Sequence, residues 1–294
     1  MELEQERLMA EVLWRGRTWR YFTNEIWPPE IATLKSHMRR TWNSGDYDRV
    51  SRYMEAEAEA FYSRLAVPPG AKLLDIACGS GQIALIAARH GVESTGIDVA
   101  ENLVTRARER ARVEGLSARF HEADAEDLPF ADAAFDVVAS LVGVMFAPRP
   151  ELAARELLRV CRRGGIIAMA NWTQQGFVGR MYAILAGFIA PSEMPDPFLW
   201  GDETTVRERL GAGASNIECT RRCAVFNFPF PPSEAVRFFR MYHGPTNRAF
   251  ASLGRAGRAN LQEELEELWS AHNLANGGFT KVDAEWLEVV AQRA

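Results

Sequence analysis

The chain has 294 residues, 47% of them hydrophobic and 25% charged, which is enough apolar material for a large core and rules out a disordered chain. Its 34 Lys and Arg stand against 39 Asp and Glu, a formal charge of −5, which argues against gripping nucleic acid or an anionic membrane by bulk charge. That length fits one large α/β domain with insertions, or two small domains. The four cysteines (Cys78, Cys161, Cys219, Cys223) show no CxxC spacing and no histidine at zinc-like distance, so we expect buried free thiols and no metal site. The N-terminus MELEQERLMAEVLW is acidic, unlike a signal peptide, and the charge-free run Gly164 to Gly179 contains Asn171, Thr173, Gln174 and Gln175, unlike a membrane span. A cytoplasmic location is the expectation.

In chain order, Met1 to about Lys35 reads as helical at first and carries Trp14, Trp19 and Trp27. The string Ser36-His37-Met38 resembles an expression-vector scar with Met38 as a candidate start, so residues 1–41 are either a helical arm packed on the domain or in part vector-derived. SRYMEAEAEAFYSRL from Ser51 predicts a helix ended by Pro68 and Pro69. Strands follow at KLLDIAC (from Lys72), ESTGIDV (Glu93), ARFHEAD (Ala118), FDVVASL (Phe135) and GGIIAMANW (Gly164). Helical patterns lie between them at QIALIAARH (Gln82), ENLVTRARERARVEG (Glu101) and ELAARELLRVCRR (Glu151). Gly91, Gly115 and Gly164 read as caps just past those helices. This alternation predicts an α/β fold with a mostly parallel sheet. Beyond it come a helix GFVGRMYAILAGF from Gly176, a Pro-rich loop from Ala190, a helix capped by Asp202, and a strand from Ser215. Helices from Ser233 and Arg258 and a last strand from Ala284 close the chain, the helices reading as a small cap.

LLDIACGSGQIA, Leu73 to Ala84, runs an apolar strand into Gly79-Ser80-Gly81 and directly into a helix. Glycines there let the backbone turn tightly and approach a ligand at the carboxyl ends of the strands. Alone, the loose G-x-G-x-x-A spacing is a weak dinucleotide signal. Three acids at strand ends discriminate: Asp75, Asp98 and Asp124. Asp98 suits a ribose diol, Asp124 with the backbone of Ala125 suits an adenine amine, and Asp75 suits orienting the glycine turn or holding an ammonium group. Acids converging on a glycine loop favour a ligand with positive charge over a pyrophosphate.

These residues resemble the class I S-adenosylmethionine-dependent methyltransferases, whose first motif D-x-[GA]-x-G-x-G is matched by Asp75, Ala77, Gly79 and Gly81. Asp98 with Val99 corresponds to the second motif and Asp124-Ala125 to the third strand's D-A pair. The resemblance is close over roughly residues 42–172 and looser to the C-terminus. It is nearest to the small-molecule branch that includes ubiquinone and menaquinone biosynthesis methyltransferases. It implies a Rossmann-like three-layer sandwich with a seven-stranded, mostly parallel sheet whose last strand is antiparallel. The implied domain covers residues 42–294, with helical cap insertions at about 173–201 and 232–277. S-adenosyl-L-methionine is the implied cofactor.

In that branch an N-terminal helix covers the cofactor, and Trp42 to Asp48 looks like its beginning. Trp42 or Tyr47 could then face the sulfonium, with ordinary packing as the alternative. Leu141, Val142 and Met145 follow the fourth strand where cofactor and acceptor should meet. Methyl transfer from a sulfonium needs mainly alignment and water exclusion, so a base is optional. His243 and Tyr242 are the candidates, and His121 reads as structural, beside the core. SLVGVMF replaces the NPPY-like tetrad of nucleobase amine methylation, so no nucleic-acid or membrane partner is expected. Arg106, Arg108, Arg110 and Arg112 read as a solvated helix face. Arg237, Arg240 and Arg248 point weakly to an acidic acceptor, whereas Phe226, Phe228, Phe230, Phe238, Phe239 and Tyr242 favour a planar or apolar small molecule. Two other functions compete with methyl transfer: an NAD(P)-dependent oxidoreductase, and a cofactor-binding protein without turnover.

Overall fold

A computed structural model describes residues 11–14, 17–20, 28–189 and 194–294 of the chain. Short strands β1 (Glu11–Trp14) and β2 (Arg17–Arg20) pair antiparallel, where a helix was expected. The first ten residues and Trp27, like the start of the Pro-rich loop at 190–193, lie outside the described residues. Helices α1 (Pro28–Trp42), α2 (Tyr47–Ser51) and α3 (Glu55–Arg64) lead into β3 (Lys72–Ile76). Next come α4 (Gln82–Arg89), β4 (Glu93–Asp98), α5 (Glu101–Glu114), β5 (Arg119–Glu122) and β6 (Phe135–Leu141). Then α6 (Pro150–Val160), β7 (Cys161–Trp172), α7 (Phe177–Phe188), α8 (Glu203–Leu210) and β8 (Ala214–Phe228) follow. Helices α9 (Pro232–Tyr242), α10 (Gly244–Ser252) and α11 (Arg255–Ala271) precede β9 (Thr280–Arg293).

Seven strands form one sheet in the order β5-β4-β3-β6-β7-β9-β8, parallel except for β9, which runs antiparallel to both neighbours. This is the expected seven-stranded architecture with the last strand reversed. Leu73, Leu74 and Ile76 of β3 are fully buried, as a central strand covered on both faces requires. The strand order turns back between β3 and β6, and such a switch point opens a crevice at the carboxyl ends of the strands.

Several local expectations shift. Helix α6 stops at Val160 because Cys161 already pairs with Phe135, so β7 begins three residues before the expected Gly164. Gly164 (φ +72°) therefore sits inside β7, where the register with β6 slips, and caps no helix. Gly91 (φ +76°) and Gly115 (φ +68°) do follow helix ends. The segment from Ser51 splits into the end of α2, a short 3-10 turn and α3. His121, expected beside the core, is exposed on the edge strand β5, because Phe120 takes the inward position of the alternation. Helix α10 is an addition: Gly244-Pro245 opens a helix, as proline in a first turn can. Of the thiols, Cys78 and Cys161 are buried, while Cys223 is exposed. Asp202 caps α8 as expected, its carboxylate accepting from the Thr205 N–H at 2.9 Å. Among the described residues no helix is long and apolar enough to cross a membrane.

Candidate active site

The chain leaves β3 through Ala77 (φ +53°), Gly79 (φ +54°) and Gly81 (φ +85°), three left-handed positions in five residues, and enters α4 directly. Nothing lies within 4 Å of where a Cβ on Gly79 would stand, so this turn presents open backbone to the crevice. A Cβ on Gly81 would instead stand 2.7 Å from the Phe120 ring, so this glycine serves helix packing. Across the switch point, Ser140 of β6 donates to the Ile76 carbonyl (2.8 Å) and accepts from the Val144 N–H (2.9 Å), tying the two strand ends together. Gly143 has to lack a side chain there, since its Cβ would meet that of Ala77 at 2.5 Å.

A cleft opens over these ends, with about 860 Å³ of open space counted together with the solvent at its mouth. Asp98, at the end of β4, is buried and accepts from the Gly79 N–H (2.9 Å) and the Ala100 N–H (2.8 Å). One carboxylate therefore pins the glycine turn and the start of α5 while facing the cleft. Burial pushes its carboxyl pKa up, against the pull of its backbone hydrogen bonds. Asp124 and Ala125 line the same cleft beyond β5, and the Asp124 carboxylate accepts from the Glu126 N–H at 3.0 Å.

Asp75 takes a different part. It is buried, and its carboxyl accepts from the Ala84 N–H at 3.0 Å in the first turn of α4. Burial pushes it up to about 7, with the Asp98 charge adding and the Ala84 and Ile83 N–H groups opposing.

A second, much smaller cavity, with room for about one water molecule, lies beside the cleft, and Trp42, Tyr47 and Phe146 belong to both. Its remaining wall comes from Val50, β7, α7, β8 and α9, with His243 at the end of α9. The His243 Nδ1 lies 2.8 Å from Thr246 Oγ1 and its Nε2 lies 3.4 Å from the Tyr182 hydroxyl. Burial drives this imidazole down to about 3, so it stays neutral, and raises the phenols of Tyr47, to about 12, and Tyr182.

A profile of the family described as Methyltransferase domain matches residues 74–169, from β3 into β7. The uncharacterized protein Rv1405c of Mycobacterium tuberculosis is 36% identical over 270 residues, covering 90% of this chain and 97% of its own length. The chain belongs to the class I S-adenosylmethionine-dependent methyltransferases. The YcgJ protein of Bacillus subtilis shares the fold, with a TM-score of 0.55 at 15% identity over 81% of this chain and 98% of its own. The 2-methyl-6-phytyl-1,4-hydroquinone methyltransferase of Synechocystis is 39% identical over 110 residues, which is 37% of this chain and 34% of that protein.

In this methyltransferase nine of the twelve expected cofactor positions line the cleft: Trp42, Tyr47, Ala77, Gly79, Asp98, Val99, Asp124, Ala125 and Leu141. The other three do not. Asp75 and Gly81 shape the turn beneath it, and Met145 is fully buried core. Of the candidate bases, His243 faces the inner pocket, whereas Tyr242 packs on Phe238 and under the Arg49 guanidinium, away from both cavities. The arginines of α5 are more than a solvated face. Arg108 donates to the Phe120 carbonyl (2.7 Å), and Arg110 reaches the Ser80 carbonyl (3.3 Å) and Glu55 (2.8 Å). Arg237 pairs with Glu234 and Arg240 lies over the Phe250 ring, and neither they nor Arg248 lines the inner pocket.

Val142, expected after the fourth strand where cofactor and acceptor meet, does stand in the cleft wall, a β-branched residue at φ +55° whose N–H donates to the Ala170 carbonyl (2.8 Å) and fixes a strained backbone. Sequence reasoning missed Lys35, whose Nζ lies 2.6 Å from Asp124 and 2.7 Å from Glu126. The signal was present: Ile31, Lys35, Met38 and Trp42 recur at i, i+4, i+7 and i+11, one face of a helix. Helix α1 thus lays Lys35, Met38 and Trp42 along the cleft, beginning well before the expected Trp42 and running through Ser36-His37-Met38. Lys35→Met removes the cation from two carboxylates, and amide exchange in α1 is expected to speed up about five- to thirtyfold, read by mass spectrometry.

Asp75 and His243 also predict opposing pH dependences. Asp75 keeps its proton to about 7 when folded but loses it near 3.8 when unfolded, so its contribution to stability is present at low pH and lost as pH rises through that window. His243 refuses a proton down to about 3 that the unfolded chain takes near 6.5, so its contribution is lost as pH falls. Urea unfolding of Asp75→Asn, relative to wild type, should therefore lose ground as pH drops from about 6.5 to about 4.5, and His243→Gln should gain.

Proposed function

We propose that this chain transfers the methyl group of S-adenosylmethionine to a small-molecule acceptor. The observation that carries the choice of cofactor is the Asp75 carboxyl at the start of α4. It occupies the N–H of Ala84, in the helix turn where a dinucleotide would seat its pyrophosphate, and so withdraws a donor that a phosphate would need. The open turn at Gly79 and the carboxylates of Asp98 and Asp124 suit a ribose, an adenine amine and a cationic end instead.

Bound there, S-adenosylmethionine would supply an electrophilic methyl group on a sulfonium. Asp98 would hold the ribose diol, Asp124 and Ala125 the adenine edge, and Ala77 and Gly79 the methionine portion by close backbone approach. Trp42 and Tyr47 are ringed at 5.6 Å from one another between the cleft and the inner pocket. Their π faces would attract the sulfonium, an interaction worth about 0.5–2 kcal/mol. The acceptor would enter the cleft beside the sulfonium, with α1 laid along it to exclude water. A small-molecule acceptor is in keeping with the hydroquinone for which one relative is named.

Calorimetric titration of the whole chain tests the cofactor. Saturable one-to-one binding of S-adenosylmethionine on the order of micromolar, with none of NAD or NADP, is expected. Binding of a nicotinamide dinucleotide without S-adenosylmethionine would overturn the proposal.

A further inference from the structure

The seven-stranded sheet ends in two edge strands that differ in how they meet solvent. Strand β5 has 4 residues, and its Phe120 carbonyl is taken by the Arg108 guanidinium at 2.7 and 3.0 Å. Strand β8 has 15 residues and no proline, and among the described residues no strand pairs with the side turned away from β9. Such an edge is a template for another strand.

Alternate residues of an antiparallel strand turn their backbone groups towards and away from the neighbour. The Val225 N–H donates to Glu57 Oε1 of α3 at 3.0 Å, away from β9, and the register with β9 runs without a slip from Glu218 to Phe228. Cys223, Arg221 and Cys219 therefore turn their N–H and C=O groups outward too. The open stretch stops at Val225 under Glu57 and, at its other end, at the irregularity between Ser215 and Glu218. Thr220 and Arg221 lie at its middle.

Charge chooses between those two as a centre. Glu218, Thr220 and Arg222 share one face of β8, and Glu218 is exposed with no ion pair to a described residue. On the same face Glu288 of β9 accepts from both Arg64 and Arg222, the latter at 3.0 Å, which leaves one positive charge in excess. A second β8 centred on Arg221 would set one guanidinium against another. Centred on Thr220, it sets the unpaired acid opposite the surplus base, twice.

We infer that β8 is a dimer interface, pairing antiparallel with β8 of a second copy of this chain about a twofold axis at Thr220. Glu218 then stands opposite the partner's Arg222, and Arg222 opposite the partner's Glu218, in non-hydrogen-bonded positions where Cα atoms approach to about 4.5 Å and side chains meet closely. Cys219 and the partner's Arg221 exchange both backbone hydrogen bonds, as do Arg221 and the partner's Cys219. The same patch serves both copies, so the assembly closes as a dimer. The cleft at the β3–β6 switch point lies beyond β7 and β9 from this edge and stays open.

Sedimentation equilibrium of the full chain from about 1 to about 100 µM tests the interface without cofactor, and wild type should dimerise within that range. Glu218→Arg and Arg222→Glu each set like charges opposite one another, so either alone should weaken the dimer about tenfold or more. Mixed in equal amounts, the two should regain wild-type association, because opposite charges then face each other in both rows. Arg221→Pro removes an outward N–H and spares the ladder to β9, so it should abolish the dimer while the far-ultraviolet circular dichroism is kept. Should Arg222→Glu fold poorly beside Glu288, Thr220→Cys in a Cys219→Ser, Cys223→Ser background gives an independent reading, since mild oxidation should link it through the axis. Wild type monomeric throughout, a dimer indifferent to Glu218→Arg and Arg221→Pro, or Thr220→Cys left unlinked would overturn the assignment.

Discussion

Asparagine placed at Gly79 is expected to leave the fold nearly as stable as wild type and to abolish S-adenosylmethionine binding, whereas the same residue at Gly81 should do the reverse. Both positions hold left-handed backbone, φ +54° and +85°, a region asparagine tolerates better than most side chains, so backbone strain is small and similar in the two variants. The surroundings differ. At Gly79 nothing lies within 4 Å of where the new Cβ would stand, and this residue lines the cleft a cofactor would fill. At Gly81 the Cβ alone would stand 2.7 Å from Phe120 and 3.2 Å from Ala107. Phe120 is buried and equally close to Gly96, so its ring has little room to yield. Overpacking of this kind costs about 1–3 kcal/mol, lowering the melting temperature by about 2–10 °C in a chain of this size. Thermal melts and calorimetry on the two variants read the two effects separately.

Asp98→Ala should lower the affinity for S-adenosylmethionine by about a hundred- to a thousandfold. The substitution removes the carboxylate that joins Gly79 to Ala100, and with it the acceptor placed for the ribose diol. Hydrogen bonds to a charged group contribute about 1.5–3 kcal/mol each, so two lost ligand bonds account for about 3–4 kcal/mol or more. The backbone donors of Gly79 and Ala100 lose their acceptor too, so some loss of melting temperature accompanies the loss of affinity. Binding unchanged within about threefold would show that Asp98 serves only to hold the turn.

How far the sequence was legible depended on how local each feature is. The glycine turn, Asp98, and the Asp124-Ala125 pair are written into consecutive strand ends, where strand polarity and turn chemistry act over a few residues, and the structure brings them to one cleft. The inner pocket was hidden because its polar group joins two distant segments: Tyr182 on α7 and, 61 residues further on, His243 after α9 with its neighbour Thr246 on α10. Lys35 was hidden for a related reason: a surface lysine on an amphipathic helix reads as solvated until the helix is docked and Asp124 and Glu126 stand beneath it. Local pattern also misled in places. CRRG after an amphipathic helix looked like its last turn, yet Cys161 pairs with Phe135 and the strand begins at once. Between the helices expected from Ser233 and Arg258, Gly244-Pro245 starts the unexpected α10, because a missing N–H costs nothing in a first turn. Asp75 was grouped with the ligand-binding acids from its motif, but its burial and its bond to Ala84 were visible only once α4 had been placed.

Methyl transfer itself is the central claim, and a labelled-methyl experiment tests it most directly. The chain is incubated with S-adenosylmethionine carrying a deuterated methyl group and a small-molecule metabolite extract, and the products are read by mass spectrometry. At least one small-molecule metabolite should gain the labelled methyl group with wild type, and none with Asp98→Ala or Gly79→Asn. Label remaining entirely on the cofactor despite tight binding, or appearing on nucleic acid or protein instead, would contradict it.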